Sequence, residues 1–145
     1  MFIRQVPITF TSPATASTVV ETATWEKLYN WDEFTIDAIL TGATNGTLDI
    51  YLQRRLGPDS WADWVHFPQK AAGAATTRHT ISAANVSTSW VVPGGGTDAA
   101  PGVALTASTI ITAHPGDVVR IVCVAGASTS AGASQTIILT MRKSG

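Results

Sequence analysis

The chain has 145 residues, of which 45% are hydrophobic and only 13% are charged, and its formal net charge is −1. This length fits one domain with a substantial core. The few scattered basic residues disfavour a nucleic-acid partner, which needs clustered Lys and Arg. The single cysteine, Cys123, excludes an internal disulfide, and no apolar run reaches the length of a membrane span. We therefore expect one domain with no nucleic-acid and no membrane partner.

The N-terminal residues predict an extended segment that leads into the domain. Residues 1–16 are apolar at their start and are interrupted by Pro7 and Pro13, which favours an N-terminal arm or an edge strand. Residues 17–145 are predicted to form a single β domain. The first residues lack the apolar core of a signal peptide, so we expect the protein to be made in a cytosol and to stay or assemble there. Residues 23–33 predict one helical turn or irregular structure.

The next two segments have the period of two that is typical of half-buried strands. Residues 34–41 alternate between apolar and polar side chains, and residues 47–54 do the same. The residues between them contain Asn45-Gly46, a frequent hairpin sequence. The pattern predicts two strands joined as a hairpin.

Residues 60–67 predict a further strand that is rich in aromatic side chains. In a regular strand, Trp64 and His66 share one face, and Val65 and Phe67 share the other. Pro68 follows and indicates where the strand ends.

The second half of the chain continues with short strands separated by turns. The segment at residues 93–102 is so rich in Gly and Pro that it predicts a long loop. The last strand, at residues 135–142, is expected at a sheet edge. Because it carries few charged side chains, it is weakly protected there against pairing with another chain. The whole pattern predicts an all-β, antiparallel two-sheet sandwich, most like a jelly roll. The predicted strands of this half are residues 76–82, 86–92, 104–112, 117–124 and 135–142.

The sequence contains no arrangement that predicts catalysis or cofactor binding. The three histidines, His66, His79 and His114, lie in separate segments without metal-ligand spacing. No G-x-S-x-G motif marks a nucleophilic serine. We therefore expect no enzymatic activity, no metal and no cofactor.

Residues 46–69 resemble a pattern of small structural proteins of tailed phages. A strand of sequence TLDIYLQ, at residues 47–53, is followed by a Trp-x-Asp turn at 61–63 and a His-Phe strand at 66–67. The composition, rich in Thr, Ser, Ala and Gly, is similar to that of capsid decoration proteins. The resemblance implies a jelly-roll cement protein that binds the outer surface of a phage head and bridges neighbouring capsomers. Its implied partners are the major capsid protein and itself, as a dimer or trimer, and its implied location is the virion.

The large apolar and aromatic side chains are the candidate contact residues. The five tryptophans can fill the core, form a contact between subunits or stack on sugars, and the sequence leaves these alternatives open. A carbohydrate-binding or receptor-binding sandwich, such as a lectin-like or tail-fibre component, is therefore the alternative function. The candidate interface residues are Phe2, Ile3, Val6, Trp25, Trp31, Trp61, Trp64, His66 and Trp90.

Overall fold

The computed structural model describes residues 1–13, 24–43, 45–82, 107–111, 114–126 and 132–145, together with the backbone of 18–20. These ranges contain nine strands and one turn of 3₁₀ helix, Leu28–Asn30. No helix within them is long and apolar enough to cross a membrane. The strands are β1 (Phe2–Thr11), β2 (Thr18–Val20), β3 (Glu33–Leu40), β4 (Leu48–Gly57), β5 (Ser60–His66), β6 (Thr77–Ser82), β7 (Thr109–Ile110), β8 (Val119–Ala125) and β9 (Ser134–Lys143).

The strands form two antiparallel sheets, which confirms the predicted all-β sandwich. One sheet has four strands in the order β1-β9-β3-β6, and the other has five in the order β2-β8-β4-β5-β7. If the two-residue β7 is left out and the other strands are numbered along the chain, the orders become 1-8-3-6 and 2-7-4-5. This is the strand order of a jelly roll, which combines two Greek keys.

The core lies between the inner faces of the two sheets. From Ile36 to Leu40 in β3 and from Leu48 to Arg54 in β4, every second residue is buried and the residues between are partly exposed. The reason is that alternate side chains of a strand point to opposite faces. The buried apolar side chains form one cluster, in which each fully buried Val, Leu, Ile, Phe or Met contributes roughly 1.5–3 kcal/mol to stability. The largest fully buried apolar members are Phe67, Leu28, Ile36, Leu40, Leu48, Ile50, Leu52, Ile81, Ile121, Ile137 and Leu139.

The segments at residues 34–41 and 47–54 form strands as predicted, but they do not form a hairpin. β3 pairs with β6 and β9, whereas β4 pairs with β5 and β8. The chain therefore crosses from one sheet to the other between them. Two strands that face each other across a core alternate in the same way as two strands of a hairpin, so the pattern alone does not distinguish the two arrangements.

β9 is a central strand, and the prediction that it forms a weakly protected edge is wrong. It pairs with β1 along one side and with β3 along the other. β1 is the edge strand of this sheet. All ten residues of β1 pair with β9, and Ile8 and Phe10 belong to the core. In the structure, residues 2–11 are therefore part of the domain.

A β-bulge changes the face on which Trp64 lies. Two consecutive residues of β4 pair with Asp63 and Val65, so Trp64 between them is an extra residue of β5. As a result, both Trp64 and Val65 are buried in the core. The predicted face shared by Trp64 and His66 is therefore wrong.

Two predicted elements lie outside the described residues. These are the strand at residues 86–92, which contains Trp90, and the loop at residues 93–102. Of the predicted strand at residues 104–112, the described part contains β7.

Candidate functional site

Trp25 and Trp64 lie in the core of the domain, where they are 2% and 3% exposed. The backbone of Trp25 pairs with Val119 of β8, and its indole Nε1 donates a hydrogen bond to the carbonyl oxygen of Val6, 3.0 Å away. Trp25 thereby joins the five-stranded sheet to the edge strand β1. Trp64 packs edge-on against Phe34, with ring centroids 6.1 Å apart. Both side chains are core residues, which corrects their assignment as interface candidates.

Trp31 and Val6 are partly buried and pack against the core. The carbonyl oxygen of Trp31 lies 3.0 Å from Nε2 of His114, and the backbone N–H of Gly116 donates to Nδ1 of the same ring. Because Nδ1 accepts this hydrogen bond, Nε2 is the nitrogen that carries the proton and donates to Trp31. The ring of His114 therefore holds the loop before β8 against Trp31, which lies two residues before the start of β3.

The register of the strands places several chain segments at one end of the sandwich. The start of β1, the end of β9 and the start of β3 lie side by side. In the other sheet, the end of β4, the start of β5 and the start of β8 also lie together. The N–H of Leu28, before β3, donates to the carbonyl oxygen of Asp117, before β8. This bond joins the two groups, and we call this end of the sandwich the Phe2 end.

The exposed large hydrophobic side chains of the described ranges all lie at the Phe2 end. Tyr29 follows the bonded Leu28, and Leu56 lies in β4 beside the hairpin turn. Met1, Phe2 and Ile3 are consecutive, and exposed apolar side chains gathered at one end of a domain are candidates for a contact with another molecule. The exposed fractions are 81% for Met1, 66% for Phe2, 54% for Ile3, 64% for Tyr29 and 46% for Leu56.

The outer face of the five-stranded sheet carries a second group of candidate residues, which includes Trp61. The guanidinium of Arg120 lies over the Trp61 ring, 4.1 Å from its centroid. Arg120 also donates twice to Oε1 of Gln53, at 3.0 and 2.8 Å, and Nε2 of Gln53 donates to Oδ1 of Asp63 at 2.8 Å. Arg120, Gln53 and Asp63 are paired across β8, β4 and β5. These bonds hold the row of side chains in one arrangement.

His66 and Tyr51 form the next row of the same face. Their rings are stacked, with centroids 3.9 Å apart and planes inclined by 24°. Nε2 of His66 lies 3.0 Å from Oδ1 of Asp49, and Gln69 donates to the other oxygen of Asp49 at 2.8 Å. Burial, followed by the charges of Asp49 and Asp63, raises the pKa of Tyr51 to about 12. We call the following set the outer-face site: Trp61, Tyr51, His66, Asp49, Asp63 and Arg120.

Sequence reasoning identified Trp61 and His66 as candidates but missed the other four members of this site, Tyr51, Asp49, Asp63 and Arg120. One signal was available, because the polar residues of the strand at 47–54 share its outer face with an aromatic residue. A second signal was the single arginine inside the apolar run at 118–124. The contact between these residues depends on the order of β8, β4 and β5, which neither signal contains.

Trp90 lies outside the described residues. Within the described part of the chain, no three His, Cys, Asp or Glu side chains form a group that could hold a metal ion. Comparison of the chain with protein-family models, with curated proteins and with solved structures found no match.

Proposed function

We propose that the protein is a structural virion protein that decorates a phage head and binds the capsid surface through its Phe2 end. The observation that supports this proposal is the concentration of exposed large apolar side chains at that end. Removing apolar surface from water contributes about 25 cal/mol per Å². Burial of several side chains of this size therefore supplies much of the binding free energy of a protein–protein contact.

The way in which the Phe2 end is built also favours a docking role. Phe2 and Ile3 belong to β1, and Leu56 belongs to β4, so these side chains are carried by paired strands. Apolar groups on paired strands lose little conformational entropy when they bind. This end is consequently suited to contact a preformed surface such as a capsid.

The proposed partners are the major capsid protein and further copies of this chain, as a dimer or trimer. Many copies on one lattice act together, so each contact can be weak while the assembly is held strongly. The proposed location is the outer surface of the virion.

The test uses heads of the phage that encodes the chain, prepared without it, and measures co-sedimentation of the added protein. We expect the wild type to bind at a fixed ratio to the capsid protein, and the double variant F2D/I3D to bind at least tenfold more weakly, because a carboxylate is costly to bury in an apolar contact. The matched control is T9D/T11D, which places the same charges at exposed positions at the other end of β1.

Two results would overturn the proposal. One is a wild-type protein that does not sediment with the heads, and the other is an F2D/I3D variant that binds as well as the wild type. Circular dichroism of each variant verifies the fold. Deletion of residues 2–12 is unsuitable as a test, because it removes Ile8 and Phe10 from the core.

A further inference from the structure

We infer that the outer-face site binds a neutral saccharide, with the Trp61 ring as the stacking surface and the side chains around it as hydrogen-bonding partners. This activity is distinct from the proposed docking because it uses other side chains. They lie on the outer face of the five-stranded sheet, with Trp61 and Arg120 near the Phe2 end and Tyr51 farther along the strands.

The two aromatic rings of the site are held in fixed orientations. Arg120 covers one face of Trp61, and His66 is stacked on one face of Tyr51. Both rings are only half-buried, and Trp61 has no aromatic neighbour among the described residues. A fixed and partly open aromatic face presents an apolar surface to the C–H groups of a sugar ring, and it does so without ordering a mobile side chain.

Three polar groups beside these rings are not used by the part of the chain that the structure describes. Nε1 of Trp61, the hydroxyl of Tyr51 and Nη1 of Arg120 make no hydrogen bond to an atom of the described residues. None of the three is a fully buried atom, so each is open to an incoming group. A ligand that offers several acceptors in a small space satisfies them together, and sugar hydroxyls both accept and donate.

The charges of the site favour a neutral ligand. The carboxylates of Asp49 and Asp63 repel a phosphate or sulfate, and the guanidinium of Arg120 repels a cation. A tyrosine hydroxyl is protonated at neutral pH and can donate a hydrogen bond. Burial and the two carboxylates raise the pKa of Tyr51 further, to about 12.

The outer face of the four-stranded sheet lacks the combination of aromatic rings and polar groups that the outer-face site has within the described residues. That face carries hydroxyl groups that are hydrogen-bonded to other side chains of the same face. Thr9 and Thr136 are 3.0 Å apart, and Thr80 donates to Asp37 at 2.6 Å. Its described residues contain no aromatic side chain, so it offers hydroxyls without a stacking surface.

The test is an NMR titration of the full-length protein with the methyl glycosides of glucose, galactose, mannose and N-acetylglucosamine. At about 50 mM, a concentration that detects millimolar affinity, at least one glycoside should shift the Trp61 indole N–H signal in a saturable manner. W61A lacks the indole signal, so its binding is followed through the backbone amide signals of Tyr51 and Gln53, which the wild type should shift as well, and it should be at least tenfold weaker than that of the wild type. Y51F removes only one hydroxyl and preserves the ring stack, so it should weaken binding severalfold without affecting folding.

Controls separate this site from the Phe2 end. Y29A removes an exposed aromatic ring at the Phe2 end and should bind the glycosides like the wild type, as should F2D/I3D. The inference is overturned if none of the four glycosides shifts the Trp61 signal, or if W61A and Y51F both bind as tightly as the wild type. Failure of capsid docking leaves these results unchanged, so the two proposals are tested separately.

Discussion

The buried side chain of Gln135 stabilises the point at which the chain leaves one sheet and crosses to the other. Gln135 is the second residue of β9, and its side chain is fully buried. Oε1 accepts from the backbone N–H of Thr41 at 2.8 Å, and Nε2 donates to the carbonyl oxygen of Thr41 at 2.7 Å. Thr41 follows the last residue of β3, where the chain leaves the sheet. The amide therefore replaces the strand partner that this backbone would otherwise lack.

Replacement of Gln135 by Leu should destabilise the protein by about 1–3 kcal/mol, because the N–H and the carbonyl oxygen of the partly buried Thr41 would both lose their partner. The measurement is the free energy of unfolding from urea denaturation. The control is T136V at the next position, which removes only the hydroxyl contact with Thr9 at the exposed face and should cost less than about 1 kcal/mol. A Q135L variant as stable as T136V would contradict this role.

At the scale of the element, β8 is an apolar strand in the interior of the five-stranded sheet. It lies between β2 and β4 and contributes Val119, Ile121 and Cys123 to the core. Its run of apolar residues predicts a central strand, and the structure places it between two neighbours. The pairing partners of β3, β4 and β9, in contrast, could not be read from their patterns, because alternation specifies which face of a strand is buried and not which strand lies beside it.

The buried position of Cys123 in β8 predicts that its thiol reacts slowly with reagents in solution. Burial, with a smaller contribution from Asp49, raises the pKa of this thiol from 9.0 to about 12. At a given pH below both values, the thiolate population is about a thousandfold lower than that of an ordinary thiol, and only the thiolate reacts.

We therefore expect a disulfide reagent at pH 8 to label the native protein at least about a thousandfold more slowly than the protein unfolded in guanidinium. The absorbance of the released thiol reports the rate. The control is a C123A variant, which should release none. Rapid labelling of the native wild-type protein would show that β8 is open to solvent.

At the scale of the whole molecule, the fold depends on contacts between distant parts of the chain. β1 pairs with β9, at the opposite end of the sequence, and β3 is paired with β9 as well. Trp25 further links the edge of one sheet to that of the other through its bond to Val6. No local segment of this kind can form its final contacts until the ends of long loops have met.

This topology predicts slow folding. We expect the main refolding phase to have a rate constant of roughly 1 to 1,000 s⁻¹, as in other domains dominated by long-range strand pairing. Stopped-flow tryptophan fluorescence after dilution from urea measures it, with Trp25 and Trp64 in the core as probes. A main phase that ends within about 0.1 ms, as in small helical bundles, would contradict the dependence on β1–β9 pairing.

The sequence by itself determined that the protein is an all-β sandwich, and it located most of the strands and the 3₁₀ turn region. It could do so because the period of two is a local property of each strand. It also identified Phe2, Ile3, Trp61 and His66 as notable residues. It could not separate Trp25 and Trp64, which fill the core, from Trp61, which lies on the outer face.

Only the tertiary structure decided which residues come together. The bulge in β5 turned Trp64 inward, the crossing between β3 and β4 placed them in opposite sheets, and the order β8-β4-β5 brought Arg120, Gln53 and Asp63 into one row. The register likewise gathered the exposed apolar side chains at the Phe2 end. The physical reason is that strand neighbours are selected by packing and hydrogen bonding over the whole chain, which no local pattern records.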